Sequence, residues 1–135
     1  MINIPIFKTN RRDVNDAIRI AISDIISNIQ LFKGGMLKEE KEVFIAGMVY
    51  DTPWTRDAAI NTWNATGLLF PEISKNTLLS AIEEVDREER IGDQYWDAII
   101  WAIGAWNEYL YTGDTEFLRY SKKVIENTLS FFEKT

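Results

Sequence analysis

Apolar residues recur at three-and-four spacing from about Asp13 to Gln30, at Val14, Ala17, Ile18, Ala21, Ile22, Ile25, Ile26 and Ile29. Asn15, Asp16, Arg19, Ser23, Asp24 and Ser27 hold the other face, which predicts an amphipathic helix capped by Asn10 or Asp13 and stopped before Gly34-Gly35. Val43, Phe44, Ile45, Met48 and Val49 then predict a short extended segment within residues 42–50. A second helix, from about Thr55 to Leu69, carries Ala58, Ala59, Ile60, Trp63, Ala65 and Leu68 and has little polar face. Phe70-Pro71 ends it, because the residue before a proline is pushed out of helical conformation. The third, from about Ile73 to Glu88, sets Ile73, Leu78, Leu79, Ile82 and Val85 against Lys75, Glu83, Glu84, Asp86, Arg87, Glu88 and Glu89. The fourth, Gln94 to Tyr111, is apolar around nearly its whole circumference and ends at Gly113. The fifth, about Glu116 to Glu133, returns to one stripe of Phe117, Leu118, Val124, Ile125, Leu129 and Phe132.

Amphipathic helices lie on a protein's outside, whereas helices apolar all round need neighbours on every side. Outer and inner helices therefore alternate along the chain. The letters repeat as well: Asp57-Ala58-Ala59-Ile60 returns as Asp97-Ala98-Ile99-Ile100, and Asn76-Thr77-Leu78 as Asn127-Thr128-Leu129. Two architectures use helical hairpins in this way, an open superhelical stack and a closed ring of inner helices surrounded by outer ones. A ring takes about six hairpins and this chain holds about two and a half, so its inner helices are expected to present apolar surface that drives self-association or belongs against the rest of a larger protein.

Composition narrows the chemistry. With 135 residues, 46% of them hydrophobic and 27% charged, the chain suffices for one folded domain. Cysteine and histidine are absent, which removes disulfides, thiolate and imidazole metal sites and serine-histidine triads; no metal and no cofactor are expected. Only carboxylates, Lys and Tyr remain for proton transfer. A net charge of −6 argues against nucleic acid and against an anionic membrane as partner, since both are bound by clustered Lys and Arg. Residues 1–8 lack a signal-peptide core, and no run approaches about 18 uninterrupted apolar residues, so a cytoplasmic location is expected.

Several segments together resemble one family. Ala46-Gly47, Tyr50, Trp54-Thr55-Arg56-Asp57-Ala58, Pro71-Glu72-Ile73, Trp96-Asp97 and the run Trp106 to Asp114 are similar to the amino-terminal part of six-hairpin glycosidases, the class of glucoamylases, glucosidases and debranching domains. The resemblance spans roughly Gly34 to Thr135. It implies an all-α fold, part of an (α/α)6 toroid in a single partial domain, with a carbohydrate pocket at the amino-terminal ends of the inner helices. It also implies that Arg56 and Asp57 grip the terminal sugar of the substrate of an inverting, exo-acting glycoside hydrolase. In that class the general acid precedes the third inner helix and the base comes near the last hairpins. Both would lie beyond Thr135, so this piece is expected to bind sugar and to be inactive alone.

The residues support such a pocket on physical grounds. Carboxylates at helix amino termini are favoured in their charged form and accept hydrogen bonds from adjacent sugar hydroxyls, while Arg56 supplies complementary donors. Trp54 and Trp96 have faces that stack on a sugar ring, and Tyr50 and Asp51 complete the expected substrate-binding set of Tyr50, Asp51, Trp54, Arg56, Asp57, Trp96 and Asp97. The plainer alternatives make Asp57 and Asp97 helix caps, Arg56 a structural ion-pair partner and Asp51 a turn residue before Pro53. Trp63, Trp101 and Trp106 read as core. Two further readings stay open. One is a helical-repeat module that contacts another protein; the other is a small oligomeric glycosidase using Asp57 and Asp97, whose neighbouring helices suit the roughly 6.5–9.5 Å separation of an inverting pair.

Overall fold

The computed structural model describes residues 4–92 and 95–134. Among the described residues five helices form: α1 (Arg12–Ser27), α2 (residues 55–69), α3 (Pro71–Ser80), α4 (Tyr95–Thr112) and α5 (Thr115–Lys134). Two antiparallel hairpins interrupt them. Strand β1 (Ile29–Phe32) pairs with β2 (Lys41–Phe44), and β3 (Ile82–Val85) pairs with β4 (Glu88–Ile91). The chain is therefore a mixed α/β fold, and the all-α toroid segment expected from the sequence is wrong.

The error has a local cause. Residues 82–91 satisfy both periods: Ile82 and Val85 are three apart, as in a helix, yet Ile82 and Ile91 also face one another in a strand pair and are both buried. Asp86 and Arg87 decide between them. Both have positive φ, which closes a two-residue hairpin turn and ends any helix. The helix expected to reach Glu88 thus stops at Ser80, and the one expected to reach Gln30 stops at Ser27. The extended segment expected near 42–50 is strand only at Lys41–Phe44. Gln94, the expected first residue of the fourth helix, lies outside the described residues.

α2 is not uniform. It runs as an α-helix over Thr55–Asn61, widens to a π-helical turn at Thr62–Thr66 and closes with Gly67–Leu69. Pro71, at the first turn of α3, lacks an N–H that the helix start has no use for. Gly113 ends α4 in a left-handed conformation, as expected, and its N–H bonds the Tyr109 carbonyl.

The repeat in the letters is a repeat in space, but its unit is larger than a helical hairpin. Each unit is a β-hairpin, an inner helix and an outer helix: β1-β2-α2-α3, then β3-β4-α4-α5. The recurring Asn-Thr ties each outer helix to the last strand of its hairpin. Asn76 donates to the Glu42 carbonyl while Thr77 Oγ1 accepts from the Phe44 N–H; Asn127 donates to the Glu89 carbonyl while Thr128 Oγ1 accepts from the Ile91 N–H. Both threonines also donate back to a carbonyl one turn earlier, Ile73 and Val124, so each buried hydroxyl is fully used.

Packing follows from these anchors. The larger core gathers Ala58, Leu78, Ile82, Ile91, Ala98, Trp101, Ala105, Phe117 and Val124 between the inner helices, the outer helices and the second hairpin. A smaller one, Ile22, Phe44, Phe70 and Ile73, seats α1 on the first hairpin and α3. The inner helices are not enclosed on every side as expected. Trp63 on α2 and Trp106 on α4, both read as core, are half exposed, whereas Trp101 is fully buried. Among the described residues no helix is long and apolar enough to cross a membrane.

Candidate functional site

α2 and α4 run parallel, side by side. Their contacts advance together along both helices, from Arg56 with Asp97, through Ala59 with Gly104, to Trp63 with Tyr111, whose hydroxyl donates to the Trp63 carbonyl. Gly104 makes the close approach possible, because a Cβ there would stand 2.6 Å from the Ala59 Cα. Parallel packing brings both helix amino termini to one end of the molecule.

At that end Arg56 and Asp97 meet. Arg56 Nε donates to Asp97 Oδ1 at 2.8 Å and Nη2 approaches the same oxygen at 2.7 Å. Asp97 is 6% exposed while the Arg56 side chain is half exposed, so the acid acts as a buried anchor and the guanidinium reaches outward. With Nε and one Nη2 hydrogen committed, no contact among the described residues engages Nη1, which a ligand can then reach. The pair joins the first repeat unit to the second, across 41 positions of sequence.

The other expected residues surround this pair unevenly. Asp57, the counterpart of Asp97 in the repeat, is exposed, and no hydrogen bond or ion pair among the described residues engages its carboxylate. Trp54 occupies the N-cap position of α2, so Asp57 is not the cap that the plainer reading made it. Tyr50 and Trp54 form an edge-to-face pair with centroids 6.2 Å apart, both partly exposed. Trp96 is 72% exposed, and Asp51 is exposed in the turn before Pro53. The structure thus joins Arg56 to Asp97 and Tyr50 to Trp54, and it leaves Asp51, Asp57 and Trp96 exposed, with no hydrogen bond or ion pair among the described residues. Among the described residues no group of three or more His, Cys, Asp or Glu side chains converges as a metal site.

A second ionic cluster, not singled out in the sequence, sits at the opposite end of α4. Glu108 is 1% exposed, eleven residues from Asp97 and thus about 16 Å along the helix. Its Oε2 has no hydrogen-bond partner among the described residues. Burial pushes its carboxyl up to about 7, opposed by the Lys75 ammonium and reinforced by the Asp114 carboxylate. Lys75 itself bonds Asp114 at 2.6 Å and lies over the Phe117 ring, and that bond, together with the Phe117 N–H, holds Asp114 below the usual carboxylate range. Asp114 also caps α5 by accepting from the Glu116 and Phe117 N–H groups. The sequence did carry a signal: Glu108 is the one charged residue between Asp97 and Asp114.

This cluster gives a pH dependence with a definite sign. A carboxyl whose folded pKa lies above its unfolded value holds its proton in the folded state while the unfolded chain releases one, so stability falls as pH rises from about 4.5 to about 7. Glu108→Gln is expected to flatten that slope. At pH 8 the variant should be more stable by on the order of 2 kcal/mol after allowance for residual solvent screening, and urea unfolding of both proteins at pH 5 and pH 8 measures it.

The chain matches no known family model, no curated protein and no solved structure.

Proposed function

We propose that the amino-terminal ends of α2 and α4 form the terminal-sugar-binding part of a carbohydrate site of the glycoside-hydrolase type, and that this chain binds sugar without hydrolysing it alone. The observation that carries the reading is the Arg56–Asp97 pair: a buried acid orients a half-exposed guanidinium at the shared end of two inner helices. Arg56 is assigned to the sugar oxygens, with Asp97 as its positioning residue. Asp57, exposed one residue along α2, accepts from sugar hydroxyls, and Trp54 offers an aromatic face of the kind that stacks on a sugar ring. The resemblance of these segments to sugar-processing glycosidases supports the same assignment.

The absence of turnover follows from the carboxylates. Asp97 is buried and committed as a hydrogen-bond acceptor to Arg56, which leaves it out of reach of a scissile bond. Glu108, the one carboxyl that burial pushes up to about 7, stands at the wrong end of α4 to serve.

Titration with glucose, mannose and their iminosugar analogues, followed by Trp fluorescence, tests the proposal. Binding in the millimolar range or tighter is expected. Loss of a hydrogen bond to a charged group costs about 1.5–3 kcal/mol, so Arg56→Ala and Asp57→Asn should each weaken binding about 10- to 100-fold. Asp97→Asn should weaken it by a similar factor while leaving the helical circular dichroism intact. A flat fluorescence response to every sugar at millimolar concentration overturns the reading.

A further inference from the structure

The outer face of α4 carries a ridge unrelated to the ion pair at its start. Trp96, Ile99, Ile103, Trp106 and Leu110 follow one another at spacings of three, four, three and four, and all five are exposed. That spacing is the a/d seam of a coiled coil, whose knobs fit the holes of a facing helix with the same pattern. Ile60, Trp63 and Leu68 add exposed apolar surface on the adjacent α2. Counted at the areas that bare aromatic and aliphatic side chains present, the two helices offer on the order of 800 Å². This is close to the ~800 Å² that each partner contributes to a standard interface.

We propose that a second copy of this chain covers the ridge, α4 against α4 about a two-fold axis. Three features favour a copy over another occupant. The helix that matches an a/d seam is another a/d seam, and α4 itself supplies one. No ridge residue is charged, so two chains of net charge −6 meet without opposing like charges, and a charged peptide or polyanion finds nothing to pair with. Ile103 is the midpoint of the seam, so a two-fold axis there sets each end of one ridge on an end of the other, the self-complementary arrangement of a closed dimer. The inference does not depend on sugar binding.

Sedimentation velocity of the intact chain at micromolar concentrations is expected to show a dimer. Ile103→Lys, at an exposed position, should raise its dissociation constant at least 100-fold with unchanged circular dichroism. The chain has no cysteine, so Ile103→Cys should oxidise to a disulfide-linked dimer, whereas Lys122→Cys on the exposed face of α5 should not. A monomer at every concentration, open-ended larger species, a dimer that survives Ile103→Lys, or equal cross-linking at both cysteines overturns the proposal.

Discussion

Gly104→Val is expected to destabilise the fold by about 3–5 kcal/mol and to separate Arg56 from Asp97. A Cβ at this position would stand 2.6 Å from the Ala59 Cα, 2.9 Å from its Cβ and 3.1 Å from its carbonyl oxygen. Two of these three atoms are backbone, and neither can swing aside as a flexible side chain does. Relief requires the two inner helices to move apart along their contact line, at the expense of the core around Ala58, Ala98 and Ala105. Near the far end of the pair a Cβ at Gly67 would meet the Tyr111 side chain at 2.8 Å, a contact with a ring and not with backbone. Gly104→Ala separates helix propensity from packing: alanine favours the helix by about 1 kcal/mol over glycine, yet it meets the same Ala59 atoms, so a net loss of about 1–2 kcal/mol is expected. Urea denaturation followed by circular dichroism gives both values. A Gly104→Val protein as stable as the parent would mean that the helices are not in close contact there.

What the sequence disclosed, and what it hid, follows from how each signal is generated. Helix existence was legible because 3.6-residue periodicity persists over many residues, and Phe70-Pro71 and Gly113 mark breaks by covalent and conformational rules that need no tertiary context. The convergence of Arg56 and Asp97 was legible through the Asp-Ala repeat, which placed two acids at corresponding helix starts; which of them would be paired was not. Asp97 is buried and held, and Asp57 is exposed with no partner among the described residues, because Arg56 projects from α2 toward its neighbour and α2 carries no second cation. The hairpins stayed hidden for a different reason. Four-residue strands offer too few positions for a two-residue period to outweigh a three-residue coincidence, and the Asp86-Arg87 turn lacks the glycine that normally advertises it. The Asn-Thr recurrence was visible as letters, but its meaning, a clamp from helix to strand, depends on the strands. Exposure of the inner helices could not be read from an apolar circumference, since such a helix buries whatever its neighbours cover and no more.

Trp101→Ala is expected to cost about 3–5 kcal/mol, the range for removing a buried large aromatic. Trp101 is fully buried, its Nε1 donates to the Leu78 carbonyl at 3.0 Å, and its ring lies against Phe117, so one side chain joins α4 to the end of α3 and the start of α5. Trp101→Phe keeps much of the volume and forfeits the hydrogen bond, for which about 1–2 kcal/mol is expected. The consequence reaches the site. Trp101 is one turn from Asp97 on the same buried face, so it fixes the rotation of α4 that aims the acid at Arg56. Trp106→Ala provides the contrast: its side chain is half exposed on the ridge, and in the dilute monomer its removal should cost less than about 1 kcal/mol. At concentrations where the dimer forms, the same substitution should lower the apparent stability further, because binding to the folded state adds to it by mass action. Unfolding curves of the two variants at low and high protein concentration therefore separate a tryptophan that holds the fold from one that holds a partner. Equal losses for Trp101→Ala and Trp106→Ala in dilute solution would place Trp106 in the core and remove the ridge as an interface.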